Sequence, residues 1–259
     1  MTFDPQASLA NVRHEFGEHG GVNMSIEAST TFTVLQADTM PEIFGGRMGP
    51  ETGGCYLYGR HFNPTVYVLG RYLAAIEGTE AAYCTASGIG AIAATLMQHC
   101  EPGDEVVAAN TIYGGTFALL KDFLPARTGI RVRFVDITDL DAVRAAVNER
   151  TRVVYCESMA NPTLAVPDIA ALADIAHSAP GDGASLVVDN TFCPMLMSPA
   201  QLGADVVVHS MTKFISGGSD IIAGGICASY DFITRLMDLH TGALMLLGPT
   251  MDPRIAHEL

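Results

Sequence analysis

Val206-Val207-Val208-His209-Ser210-Met211-Thr212-Lys213 begins as a continuously apolar run and closes on two hydroxyls and a lysine, with a glycine-rich turn behind it at Gly217-Gly218. The run reads as a buried strand, Val206 to His209. A lysine closing such a strand is costly, because desolvation penalises its ammonium. The same desolvation lowers an amine's pKa and makes it a nucleophile able to form a Schiff base. Hydroxyls at Ser210 and Thr212 suit a phosphate held beside that amine. Pyridoxal 5′-phosphate carries both an aldehyde and a phosphate, and the stretch points to that cofactor.

Outward from this strand, the same pattern recurs. Ala81 to Thr85, Glu105 to Ala109, Arg131 to Val135, Val153 to Glu157 and Leu186 to Asp189 read as further strands. Between them Val66 to Ile76, Gly88 to Cys100, Thr116 to Phe123, Leu140 to Val147 and Ile169 to Ala176 carry helical periodicity. Strand and helix alternate, so the class is α/β, a mostly parallel sheet covered by helices on both faces. Residues 1–55 lack clear periodicity and read as an extended N-terminal arm with one short helix. Residues 56–259 read as a single large domain, whose last stretch, Phe232 to Leu259, looks helical and stops in mid-pattern.

Composition narrows the function classes. The 259 residues are 49% hydrophobic and 16% charged, a globular balance rather than a disordered one. A net charge of −14 argues against nucleic acid or an anionic membrane surface as partner. The six cysteines are scattered with no Cys-x-x-Cys pair, the pattern of reduced thiols; neither a disulfide framework nor a metal site is expected. Met-Thr-Phe-Asp-Pro-Gln lacks the features of a signal peptide, and no apolar run approaches the ~20 residues of a membrane span. A cytoplasmic location is expected.

In parallel sheets functional groups gather at the carboxyl ends of strands. Asp189 closes Leu186-Val-Val-Asp and suits a pyridinium nitrogen, although a turn aspartate reads the same way in isolation. Ser87, Gly88 and Ile89 open an apolar helix, whose N-terminus is ready for phosphate; ordinary capping by Ser87 is the plainer reading. Gly88-x-Gly90-x-x-Ala93 also matches a loose dinucleotide fingerprint, but the next strand runs into Ala-Ala-Asn with no acidic end, which disfavours a nicotinamide. Tyr113, on a glycine-rich turn, offers a ring for stacking and a hydroxyl for proton transfer, or simply packs. Tyr58 and Arg60 pair a phenol with a guanidinium suited to phosphate, or lie in a solvated loop. Glu157 and Asn161 fall at another strand end, where Asn161 before Pro162 also fits turn chemistry.

Taken in order, Tyr58-Gly-Arg-x-x-Asn-Pro-Thr65, Ala86-Ser-Gly-Ile89, Tyr113-Gly-Gly-Thr116, Glu157-Ser-x-x-Asn-Pro162, Val188-Asp-Asn-Thr191 and His209-Ser-x-Thr-Lys213 closely resemble the Cys/Met-metabolism (trans-sulfuration) family of pyridoxal-phosphate enzymes. The resemblance implies the large domain of the type I aminotransferase-like fold. It also implies elimination or replacement at the γ (or β) carbon of substrates such as cystathionine, methionine or O-acylhomoserine. Lys213 would carry the cofactor as a Schiff base, Asp189 face its ring nitrogen, Tyr113 stack on the ring and relay protons, and Asn161 lie beside its phenolic oxygen. Ser87, Gly88, Ile89, Ser210 and Thr212 would hold the phosphate. Tyr58 and Arg60 would reach the phosphate of a neighbouring subunit, implying a homodimer or homotetramer with shared sites.

Departures from the family pattern are visible. Gly217-Gly218 stands where Gly-His is common, and Met159 where proline is common. Gly115 stands where methionine γ-lyases usually have cysteine, which counts against a dedicated enzyme of that kind. The smaller C-terminal domain that supplies an arginine for the substrate carboxylate is expected to be absent, and Arg254 is not a credible substitute. An alternative is therefore a non-catalytic fragment that binds pyridoxal 5′-phosphate without turnover.

Overall fold

The computed structural model describes residues 3–12, 21–45, 47–49, 52 and 55–259. The remaining residues of the expected arm lie outside the described set. Among the described residues of that stretch stand two short α-helices, α1 (Pro5–Val12) and α2 (Met40–Phe44), the second led by a 3-10 turn at Ala37–Thr39, where one short helix was expected. Side-chain hydrogen bonds tie its later part to the body: Asn63 Nδ2 donates to Glu27 O at 2.8 Å, and Glu27 N donates to Thr65 Oγ1 at 2.9 Å.

The body begins with α3 (Pro64–Glu77), started by the Asn63 carboxamide, which accepts from Thr65 N and Val66 N, and ended by Gly78 at φ 68. Then follow β1 (Ala81–Thr85), α4 (Gly88–His99), β2 (Glu105–Ala109), α5 (Gly114–Ala118), a π-helical turn Leu119–Phe123 and α6 (Leu124–Thr128). Next come β3 (Arg131–Val135), α7 (Leu140–Ala146), β4 (Thr151–Glu157), α8 (Ile169–His177), β5 (Ser185–Asp189), β6 (Val206–His209) and β7 (Gly224–Ala228). Up to β6 the expected strands and helices are present with ends shifted by a few residues, except that the helix expected over Thr116 to Phe123 is split between α5 and the π-helical turn.

Among the described residues the strands form one sheet in the order β1-β7-β6-β5-β4-β2-β3. The five strands from β6 to β3 run parallel, while β7 is antiparallel to both β6 and β1. Strand β7 was not anticipated, because Gly-Gly-Ile-Cys-Ala has little β-branched character; its glycines lie flush against Leu73 and the start of α4. Helices α3, α4 and α8 pack on the sheet, whose central strands are buried but for Arg152 and Ser185. Register aligns Glu157 with Asp189, and Asp189 with Val208. The polar ends of β4, β5 and β6 therefore stand side by side.

The continuous helix expected over Phe232 to Leu259 is broken into α9 (Tyr230–Leu236), α10 (Ala243–Leu247) and α11 (Pro253–Glu258). Two local devices interrupt it. The Asp238 carboxylate accepts from His240 N and Thr241 N, making a turn, and Gly248 adopts φ 67 just before Pro249. Among the described residues no helix is long and apolar enough to cross a membrane, and no cluster of three metal-ligating side chains occurs.

Candidate active site

A cavity of about 280 Å³ opens where β4, β5 and β6 end, and Ser87, Gly88, Ile89, Tyr113, Asn161, Asp189, Ser210, Thr212 and Lys213 all line it. Nine of the eleven candidate residues thus come together. Tyr58 and Arg60 do not join them. Arg60 Nη1 donates to Met245 O at 2.6 Å, and its guanidinium lies 5.6 Å from the Tyr58 ring centroid.

Lys213 occupies the turn after β6, and there the structure corrects the expectation of a desolvated amine. The strand ends at His209, and three further residues carry the lysine to an exposed position at the cavity. Its Nζ donates to Ser210 Oγ at 2.9 Å and stands 5.6 Å from the Tyr113 ring centroid, within cation–π range.

Asp189 is the buried pole of the site. Its Oδ1 accepts from Thr191 N at 3.0 Å and Thr191 Oγ1 at 2.5 Å, and its Oδ2 accepts from Tyr155 Oη at 3.4 Å. Burial pushes its pKa above the usual carboxylate value, and the Thr191 hydrogen bonds, the charge at His209 and Tyr155 offset part of that rise. A carboxylate held this way on a cavity wall is complementary to a cation presented from the cavity.

Opposite it lies the start of α4. Ser87 caps the helix, accepting from Gly90 N at 3.2 Å. A Cβ on Gly88 would lie 2.7 Å from Ser210 Cβ, so only glycine lets the helix start approach the turn after β6 this closely. Backbone amides at a helix N-terminus and the Ser210 hydroxyl then share one wall, a setting for an anion. Thr212 contributes to the lining, but its hydroxyl is engaged with Ala223, donating to O at 3.1 Å and accepting from N at 2.9 Å. The Lys213 amine opens into the same cavity, so the residues present fit pyridoxal 5′-phosphate.

Tyr113 and Asn161 frame the cavity. The Tyr113 ring, 48% of the residue exposed, folds over Gly115: a Cβ there would lie 2.6 Å from ring Cε1. This ring position is compatible with glycine at 115 and not with cysteine. Both Tyr113 N and Asn161 N donate to the Glu157 carboxylate.

Several residues of the site escaped the sequence reading. Thr191 links Asp189 to the lysine turn, its hydroxyl also accepting from Ser210 N at 2.8 Å. Its place in Val-Asp-Asn-Thr was the available signal. Behind the site, Glu77 Oε1 lies 2.7 Å from His209 Nε2 and accepts from Asn190 Nδ2 at 2.8 Å, all three side chains being buried. Glu77 ends α3, far from its partners in sequence, and no local pattern reveals that pairing.

The sequence profile of the Cys/Met metabolism PLP-dependent enzymes matches residues 7–257. The chain belongs to this family. Pyridoxal 5′-phosphate is accordingly its cofactor. Across the family, the chain is 60% identical over 257 residues to a methionine gamma-lyase of Arabidopsis thaliana, covering 99% of the chain and 57% of the relative. It is 43% identical over 221 residues to the L-methionine gamma-lyase of Pseudomonas putida, covering 85% of the chain and 53% of that protein. Among solved structures, a putative O-acetylhomoserine (thiol)-lyase of Campylobacter jejuni superposes with a TM-score of 0.85 at 26% identity, covering 99% of the chain and 69% of the other; that protein contains a pyridoxyl-lysine phosphate residue. The chain spans about half the length of the curated relatives it matches.

Proposed function

We propose that this chain supplies the cofactor half of an enzyme that eliminates or replaces the γ-substituent of a sulfur amino acid or an O-acylhomoserine. One observation carries the reading: Lys213 Nζ lies between the Ser210 hydroxyl and the Tyr113 ring in a cavity that ends on buried Asp189. Pyridoxal 5′-phosphate, when bound, supplies an electron sink for a carbanion at the substrate's Cα. Lys213 would hold its aldehyde carbon and would take the Cα proton. Asp189 keeps the ring nitrogen protonated. Ser87, Gly88, Ile89, Ser210 and Thr212 hold the phosphate, with Thr212 most simply through its position in the turn. Tyr113 relays a proton to the leaving group, and Asn161 orients the ring from the side. Tyr58 and Arg60 reach the phosphate of a second subunit in a homo-oligomer.

Methionine γ-elimination is the preferred form of the reaction. Cleavage of the Cγ–S bond and addition of water give a thiol, a 2-oxo acid and ammonia. Gly115 counted against it at the level of sequence, yet 60% identity across nearly the whole chain to a methionine gamma-lyase outweighs a single position. Replacement by an incoming thiol shares the early steps.

A second reading, cofactor binding without turnover, is favoured by one feature. Among the described residues lining the cavity, Lys213 is the sole lysine or arginine, so nothing there pairs with a substrate carboxylate. Arg254 lies outside the lining and pairs with Asp252 at 3.5 Å. Incubation of the cofactor-loaded protein with methionine, or with O-acetylhomoserine and a thiol, separates the readings. Release of 2-oxo acid and ammonia from methionine supports elimination. Thioether formation from O-acetylhomoserine alone moves the activity to replacement, and silence with both substrates favours the binding-only reading.

A further inference from the structure

We propose that Glu157 is the positioning residue of the site, a two-armed carboxylate that fixes the Tyr113 wall and the Asn161 wall at once. Its Oε1 accepts from Tyr113 N at 2.7 Å and its Oε2 from Asn161 N at 3.0 Å. The first amide belongs to the turn entering α5, the second to the loop after β4. No backbone ladder joins those two segments, and Glu157, at the end of a central strand, is 7% exposed. Both oxygens are used as acceptors, so the carboxylate holds each loop through its ionised form.

The surroundings make that form conditional. Glu157 shares its face of the sheet with Asp189 on the adjacent strand and Tyr155 on its own strand, and Tyr113 and Lys213 line the same cavity. Burial is the main influence raising its pKa, to about 7, against the two amides that lower it; Asp189 adds to the rise. A proton on either oxygen turns an acceptor into a donor facing an N–H, and one arm is lost. Both walls are therefore held above this pH, and one is released below it. A glutamine offers a single acceptor oxygen and mimics the protonated state, whereas alanine offers none.

The inference rests on Tyr113 and Asn161 framing the cofactor, but its test needs no bound cofactor. Amide hydrogen exchange, read by mass spectrometry on peptides around Tyr113 and Asn161, compares the wild-type chain with Glu157→Gln and Glu157→Ala at pH 8 and pH 6. After correction for intrinsic rates, wild-type protection falls at one of the two segments between pH 8 and pH 6. Glu157→Gln loses protection at one segment at both pH values, and Glu157→Ala exchanges at least about tenfold faster at both segments. Exchange in β5 stays unchanged. Wild-type protection of both segments in a folded Glu157→Ala overturns the proposal; should that variant unfold, unchanged protection in Glu157→Gln overturns it equally. The visible absorption of the cofactor-loaded wild type reports separately on the lysine assignment, so either idea can fail alone.

Discussion

Lys213→Ala is expected to leave the chain folded while abolishing both its visible absorption with pyridoxal 5′-phosphate and its turnover. The small structural effect follows from position: Lys213 is exposed and donates its side-chain hydrogen bond to Ser210, so the stability change should stay within about 1 kcal/mol. The functional effect is expected to be large because the proposed role gives one amine two tasks, holding the aldehyde and moving the Cα proton. Loss of a positioned acid–base group alone costs roughly 10²–10⁴-fold in rate. Lys121, the other lysine of the chain, lies over the Phe117 ring outside the cavity lining and offers no substitute. A spectrum and a rate unchanged in the variant would remove Lys213 from the mechanism.

Asp189→Asn should separate stability from function in the opposite sense. Thr191 N and Oγ1 both donate to Oδ1, a contact that the asparagine oxygen reproduces. What the variant loses is charge and the acceptor of the 3.4 Å Tyr155 Oη contact. Burial raises the Asp189 pKa, so the folded chain retains that proton to a higher pH than the unfolded chain, whose value is about 3.9. Ionised Asp189 therefore lowers stability above its folded pKa, and the penalty disappears as pH falls towards the unfolded value. Without cofactor at pH 8, the asparagine variant should melt no lower than wild type, and its advantage should shrink at acid pH. With cofactor the order reverses, because a protonated ring nitrogen compensates the carboxylate and cannot pair with asparagine in that way. Turnover should fall by at least about 100-fold, since a neutral ring is a poor electron sink. Thermal melts at two pH values, with and without cofactor, check the stability claim; an assay checks the other. A cofactor-loaded variant as active as wild type would break the link between Asp189 and the ring nitrogen.

Most of the sheet was legible because its parallel strands are buried on both sides and must be apolar throughout, ending where a polar residue meets the cavity. Leu186 to Asp189 and Val206 to His209 show this directly, and their ends led to the site. Strand β7 was not legible, since Gly224 and Gly225 answer to the close approach of neighbouring elements rather than to strand propensity. The exposure of Lys213 was missed because an apolar run does not reveal where the strand stops pairing. The breaks within Phe232 to Leu259 depend on an Asp238 side chain turning back on its own backbone and on the left-handed Gly248. Glu157 was noticed as a strand end, but its role lies in accepting two backbone amides, which every residue carries and no motif records.

Borohydride reduction of the cofactor-loaded chain, followed by peptide mass mapping, tests the assignment of Lys213 most directly. The chain contains two lysines, Lys121 and Lys213, which fall on separate proteolytic peptides. A phosphopyridoxyl mass on the Lys213 peptide, with the Lys121 peptide unmodified, is the expected result. Label on Lys121, or on neither lysine, would contradict it.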